Sequence, residues 1–159
     1  MLGNCKTKFD GSSGDELNRR IADLRKRLPD VYREVIRAAP GAKLVVVDYP
    51  RLLPQGSREE RAGNCAAPGR TITADEVAYL NEKTARLDAA IKAAAADADA
   101  RFVEVIDAFA GHELRCGGRP FVNPARVQAR LLPASFHPNA AGYVQLADTI
   151  ARDLATTPP

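Results

Sequence analysis

Apolar residues recur at helical spacing in several stretches of the chain and run unbroken in two. Leu17, Ile21, Leu24 and Leu28 form one stripe, with Asp15 or Ser13 placed to cap its start and Pro29 expected to end or kink the helix. A second set, Val31, Tyr32, Val35, Ile36 and Ala39, leads to Pro40-Gly41. Thr73-Ala74-Asp75-Glu76 is a capping box, and Val77, Leu80, Thr84, Leu87, Ile91 and Ala94 continue it as a long amphipathic helix. Its alanine-rich end, Ala93 to Ala100, carries little side-chain surface and is expected to be weakly anchored. Tyr143, Leu146, Ala147, Ile150 and Leu154 mark a last helix. The two unbroken runs are Lys43 to Tyr49, β-branched throughout its centre and patterned for burial on both faces, and Arg101 to Asp107. Residues 1–14, 51–72 and 108–136 lack periodicity and read as loops, and the tail 156–159 should fray.

Helix, Pro-Gly turn and buried strand in succession indicate an α/β chain with a parallel sheet. Two strands make a very small sheet with both outer edges open, so the pattern resembles the second half of a doubly wound domain. The carboxyl ends of parallel strands carry the functional loops. Asp48 and Arg51 stand at that edge, although hydrogen bonding within the loop is the simpler account of them.

A chain of 159 residues is one domain's worth, without internal repeats. The net charge of +3 is spread over mixed signs, and the basic cluster of Arg19, Arg20, Arg25, Lys26 and Arg27 is interleaved with Asp15, Glu16 and Asp23. This is a solvated helix face rather than a nucleic-acid surface. No stretch suffices to span a membrane, and Met1, followed by Gly3, Asn4 and Lys6, does not begin a signal peptide. The three cysteines, Cys5, Cys65 and Cys116, form no CxxC pair, which argues against zinc. Cys65 and Cys116 both lie in loop-like stretches, which suggests a disulfide and an oxidising compartment. Cys5 is left over, as a free thiol or with a partner outside the chain.

The most suggestive chemical group is His137, in Ser135-Phe136-His137-Pro138-Asn139-Ala140-Ala141-Gly142. Pro138 disfavours helix at His137, and Asn139 is a good N-cap. The histidine therefore sits on the loop feeding the last helix, whose positive end favours a neutral imidazole able to accept a proton. A general base needs this, whereas the plainer reading is a loop histidine packed under the helix. The other histidine, His112, reads as a structural hydrogen-bonding residue of its loop. His112 and His137 with Cys65 and Cys116 match no standard zinc spacing. Gly117-Gly118 precedes no lysine-bearing helix, so no phosphate loop is indicated.

Four stretches together resemble the C-terminal half of the SGNH hydrolases, also called GDSL-type lipases and esterases, and in particular their disulfide-bearing, secreted actinobacterial branch. They are Val46-Val47-Asp48-Tyr49-Pro50-Arg51-Leu52-Leu53-Pro54, the helix from Thr73 to Leu87 with Tyr79-Leu80-Asn81, Phe109-Ala110-Gly111-His112-Glu113-Leu114-Arg115-Cys116, and Ser135 to Gly142. The resemblance implies a three-layer α/β/α, flavodoxin-like fold with a parallel sheet, here incomplete at its N-terminal strands. It implies a single domain over residues 1–159, and ester hydrolysis without metal or organic cofactor. His137 matches the family's general base, Cys65 and Cys116 match a disulfide pair, and Cys5 matches a cysteine whose partner lies upstream. Secretion is implied as well.

The chain departs from the family's pattern in its early blocks. The Gly-Asp-Ser nucleophile block and the Gly-x-Asn oxyanion block have no counterpart. Ser12-Ser13-Gly14-Asp15 has the letters in another order and follows no strand, and Gly3-Asn4 also lacks a preceding strand. Ala134 stands where a triad acid would be, three residues before the histidine. Some relatives are similar in orienting the imidazole with a backbone carbonyl there, which needs only an acceptor for the Nδ1 proton. The expectation is the C-terminal part of a serine esterase or lipase, with little or no activity alone and an ester as substrate once an N-terminal half completes it. The alternative is a non-catalytic module that pairs with itself or another chain through an open sheet edge.

Overall fold

The computed structural model describes residues 5–12, 14–55, 65–67, 70–114, 119–124 and 133–156, with the main chain alone at Cys5, 65–67 and 70–71. These residues gather into two compact units, Met1–Tyr49 with Glu82–Ile106 and Pro50–Asn81 with Asp107–Pro159.

The first unit opens on a short helix α1 (Cys5–Phe9) and a minimal antiparallel ladder, β1 (Asp10–Gly11) with β2 (Gly14–Asp15). A helix and a ladder therefore stand where the lack of periodicity predicts loop, each too short to show a period. The ladder closes because Gly14 takes a φ of +87°, which a side chain would resist. Asp15 then caps α2 (Glu16–Ala38), accepting from the Asn18 N–H at 3.0 Å. The helix does not end at Pro29 but runs through it, with Pro29 buried. Proline costs a helix interior about 3 kcal/mol. Here Leu28 and Tyr32 on either side of it pack against Val46, Ile91 and Ala95, and tertiary packing of this kind outweighs local propensity. Val31 and Val35, read as part of the apolar face, are instead exposed.

β3 (Val45–Val47) and β6 (Arg101–Val103) pair in parallel, Val46 opposite Phe102, and confirm the parallel α/β reading. Both are shorter than their apolar runs, and in β3 only Val46 is fully buried, so the expected burial on both faces is not met. The connecting helix α3 (Ala74–Asp97) begins at the capping box read from the sequence. Thr73 Oγ1 accepts from the Glu76 N–H at 3.2 Å, and the Glu76 carboxylate accepts from the Thr73 N–H at 3.0 Å. The alanine-rich end is not weakly anchored: Ala94 and Ala95 have no exposed surface and Ala98 is buried too. Small side chains permit that close packing. The helix ends in a Schellman motif, with Asp99 at φ 54°, its N–H bonded to the Ala96 carbonyl and the Ala100 N–H to that of Ala95. This turns the chain into β6.

The second unit is built on Leu53, Val77, Phe109, Leu114 and Val122, with Leu80, Phe121 and Leu146 packed against them. Within the stretch read as loop, β4 (Cys65–Ala67) and β5 (Arg70–Thr71) form an antiparallel pair, too short to show a period in sequence. The final helix, α4, is Ala140–Thr156. Its inward positions are Gly142, Leu146 and Ile150, while Tyr143, Ala147 and Leu154 of the expected stripe are exposed. Residues 157–159 lie outside the described residues. No helix among the described residues is long and apolar enough to cross a membrane.

Candidate functional site

His137 lies in the turn before α4, exposed, with its main chain fixed on both sides. Its N–H reaches the Ala134 carbonyl at 3.3 Å, and its carbonyl accepts from the Asn123 N–H at 2.9 Å. The preceding residue, Phe136, takes φ 62°, a left-handed conformation that an aromatic side chain resists. The Phe136 N–H is held there by the Asn123 carbonyl at 3.0 Å. A strained residue persists only where its surroundings over-determine it, and such residues collect at functional sites.

The surroundings here are the segment 119–124, which runs antiparallel beside 136–139 with Val122 opposite Pro138. Asn139 ties the two segments together. Its side-chain oxygen caps α4 by accepting from the Gly142 N–H at 3.1 Å, and its Nδ2 donates to the Pro120 carbonyl at 2.7 Å. Its own N–H donates to the Phe121 carbonyl at 2.8 Å. The cap predicted from sequence is therefore present and also serves a second segment. Gly142 is required by the same approach, because a Cβ there would collide with the Phe121 carbonyl.

Segment 119–124 is held in turn by His112. Its carbonyl accepts from the Phe121 N–H at 2.8 Å, and its Nδ1 donates to the Arg119 carbonyl at 3.0 Å. The imidazole stacks on the Phe121 ring, centroids 4.1 Å apart and 5° from parallel, while Phe109 meets that ring edge-on at 5.7 Å. His112 thus hydrogen-bonds within its loop, as the sequence suggested. Phe121 and Asn123 were missed as members of the site, since their contacts join segments far apart in sequence and leave no local period.

Asp48 and Arg51 each have partners of their own. Asp48 is buried and accepts from the Val105 N–H at 2.5 Å, and Arg51 forms an ion pair with Asp107. Both follow the simpler loop-bonding account. Among the described residues no three histidine, cysteine or carboxylate side chains gather to hold a metal. Ser12 lies between β1 and β2, and Gly14-Asp15 forms β2 itself, so this block follows no more than a two-residue strand. Cys116, Ser13, Gly3-Asn4 and Gly117-Gly118 lie outside the described residues, and the side chains of Cys5 and Cys65 are not described, so the cysteine pairing falls outside them too.

Residues 9–145 match the GDSL-like Lipase/Acylhydrolase family. The chain is 32% identical over 119 residues to a lipase of Streptomyces rimosus, covering 75% of this chain and 40% of that protein. It is 40% identical over 121 residues to an esterase of Streptomyces scabiei, covering 72% of this chain and 34% of that one. The chain therefore spans well under half the length of these relatives. Among solved structures it is similar to the extracellular lipase of Streptomyces rimosus, with TM-score 0.59 and 28% identity, over 92% of this chain and 60% of the lipase. It is also similar to phospholipase A1 of Streptomyces albidoflavus NA297, with TM-score 0.68 and 28% identity, over 86% of this chain and 55% of the other. These likenesses bear out the α/β, SGNH-type fold expected from the sequence.

Proposed function

Because the chain belongs to the GDSL-like Lipase/Acylhydrolase family, we propose that it is the C-terminal, base-bearing part of a serine ester hydrolase. His137 is the general base. The observation that carries the reading is the placement of this histidine, exposed at the entrance to α4 on a main chain bonded at both its N–H and its carbonyl. In the reaction a serine hydroxyl attacks the ester carbonyl carbon while His137 takes its proton, and the imidazolium then returns that proton to the leaving alcohol. Water, activated by the same imidazole, releases the acid. The Ala134 carbonyl orients the ring by accepting its Nδ1 proton. That oxygen already receives the His137 main-chain N–H, and a carbonyl has a second lone pair to offer. The substrate is a carboxylic ester, and no cofactor is required.

The serine and the oxyanion donors belong to the part of the family's fold that precedes this chain, since neither a Gly-Asp-Ser nor a Gly-x-Asn tripeptide occurs in its sequence. A base without a nucleophile and oxyanion donors forfeits most of the acceleration. The test is hydrolysis of a short-chain chromogenic ester by the 159-residue chain, by the same chain extended upstream in frame, and by His137→Ala of each. The reading requires Gly-Asp-Ser and Gly-x-Asn codons upstream, activity in the extended protein, and its loss in His137→Ala. Activity of the 159-residue chain that His137→Ala abolishes would place the nucleophile within it and overturn the partial-enzyme reading, with Ser12, Ser13 and Ser135 the residues to replace next.

Secretion and a Cys65–Cys116 disulfide belong to the same proposal. A bridge across that loop would contribute roughly 4 kcal/mol in the chain-entropy model. Protein made in an oxidising compartment and titrated under denaturing conditions should show Cys5 as its free thiol, and three thiols only after reduction. Three before reduction would refute the bridge.

A second reading rests on the sheet. Among the described residues β3 pairs with β6 alone, and the reading is that a strand of a second chain adds beside this pair. An absence of upstream codons together with a stable oligomer in sedimentation would favour a non-catalytic module.

A further inference from the structure

We propose that His112 is a positioning residue for the His137 turn, acting through Phe121; the inference rests on the reading of His137 as the base. Three contacts connect His112 to the segment against which His137 is held. Its carbonyl bonds the Phe121 N–H at 2.8 Å, its Nδ1 proton bonds the Arg119 carbonyl at 3.0 Å, and its ring lies flat on the Phe121 ring. The Phe121 carbonyl then fixes Asn139 through the latter's N–H and faces Gly142 so closely that no side chain fits between them. Two residues along, Asn123 bonds Phe136 and His137 on both of its main-chain groups. The links are hydrogen bonds, a stacked pair of rings and the two-residue step of main chain from Phe121 to Asn123, and the path ends on the main chain of the base.

The imidazole suits this role for a chemical reason. A carbonyl can only accept, so the Arg119 contact requires the proton on Nδ1. The same flat ring supplies the stacking surface. Phenylalanine at 112 would keep the stack and lose the donor, whereas asparagine would keep a donor near the Nδ1 position and lose the stack. The role therefore separates into two parts that different variants retain. Aromatic stacking and one neutral hydrogen bond each contribute on the order of a few-fold in a local opening equilibrium.

The experiment uses the 159-residue chain with His112→Ala, His112→Phe and His112→Asn. Since His112 and His137 are its two histidines, each variant leaves His137 as the sole imidazole, and its ring resonance is assigned without ambiguity. The expected result has two parts. In His112→Ala, amide exchange at Phe121, Asn123 and Asn139 quickens about tenfold relative to Val77, whose N–H bonds Thr73 in the same unit, and the His137 ring resonance shifts or broadens. In His112→Phe and His112→Asn both effects are smaller. Exchange that rises equally at Val77, an unmoved His137 resonance, or loss of cooperative unfolding in all three variants would overturn the proposal, leaving His112 a general structural residue. Failure of the base reading is distinguishable. It would appear as ester hydrolysis by the extended protein that survives His137→Ala, with the exchange pattern unchanged.

Discussion

The Phe121 carbonyl oxygen occupies the space that a Cβ on Gly142 would need, and the same oxygen accepts the Asn139 N–H at 2.8 Å. Alanine ordinarily gains about 1 kcal/mol over glycine in a helix. Here the obstacle is a main-chain atom, not the end of a flexible side chain, so either α4 or segment 119–124 must move. Overpacking of that kind costs about 1–3 kcal/mol. Gly142→Ala should therefore destabilise the protein by about 2 kcal/mol in urea unfolding. A stabilised variant would show that the approach is looser than described.

Asn139 combines a cap with a bridge, and the two are separable by substitution. Serine keeps an acceptor for the Gly142 N–H but cannot reach the Pro120 carbonyl as the Asn139 Nδ2 does at 2.7 Å. Alanine loses both. Loss of a cap costs about 1 kcal/mol and loss of a neutral hydrogen bond about another. Asn139→Ala should cost about 2 kcal/mol and Asn139→Ser about half of that. Equal losses in the two variants would show that the cap contributes nothing beyond the Pro120 contact.

Lys83 is buried in the first unit and pairs with Asp15 at 2.6 Å, while also donating to the Asn18 side chain at 3.0 Å. Burial alone would lower its pKa, but the hydrogen bonds it donates to the Asp15 and Glu82 carboxylates together raise it above the ordinary lysine value. The pair joins the start of α2 to α3. Asp15 is half-buried and keeps the Asn18 N–H when Lys83 is removed, so the loss lies between that of a surface pair and that of a fully buried one, at about 1–3 kcal/mol. Lys83→Ala should show that loss, with Lys83→Met recovering part of it by filling the volume. A difference below about 1 kcal/mol between wild type and Lys83→Ala would place this pair with weak surface pairs.

What was legible in the sequence was what local chemistry decides. The Thr73–Glu76 capping box, the Asn139 cap and the β3 and β6 runs each depend on residues within a few positions, and each is present. The passage of α2 through Pro29 was not legible, because the helix persists through the packing of Leu28 and Tyr32 on residues far along the chain. Nor was the burial of Ala94 and Ala95, since small residues leave no periodic signature. In the candidate site, His137 and Asn139 stood out by their neighbours Pro138 and Gly142. Phe121 and Asn123 did not, because a bridge such as Val122 to Pro138 pairs segments whose register no local pattern specifies. The inward face of α4 was misread at Tyr143 for the same reason: glycine, not an apolar residue, marks the position where another main chain approaches.

Asp48 gives the structure a pH dependence of definite sign. Burial raises its pKa, the hydrogen bond from the Val105 N–H lowers it in part, Glu104 raises it and Lys92 lowers it, leaving it above the ordinary carboxylate value. The folded state therefore holds the Asp48 proton more tightly than the unfolded chain. Its contribution to stability is fully present below the ordinary carboxylate pKa and is lost as pH rises through the raised folded value. Asparagine at this position keeps an acceptor for the Val105 N–H and carries no charge to desolvate. Asp48→Asn should remove that part of the decline and be more stable than wild type at neutral pH. Asp48→Ala should instead leave a buried N–H without its acceptor, costing about 1–3 kcal/mol across the whole range. Urea midpoints from mildly acidic to neutral pH decide the matter: parallel curves for wild type and Asp48→Asn would mean that Asp48 titrates alike in the folded and unfolded chains.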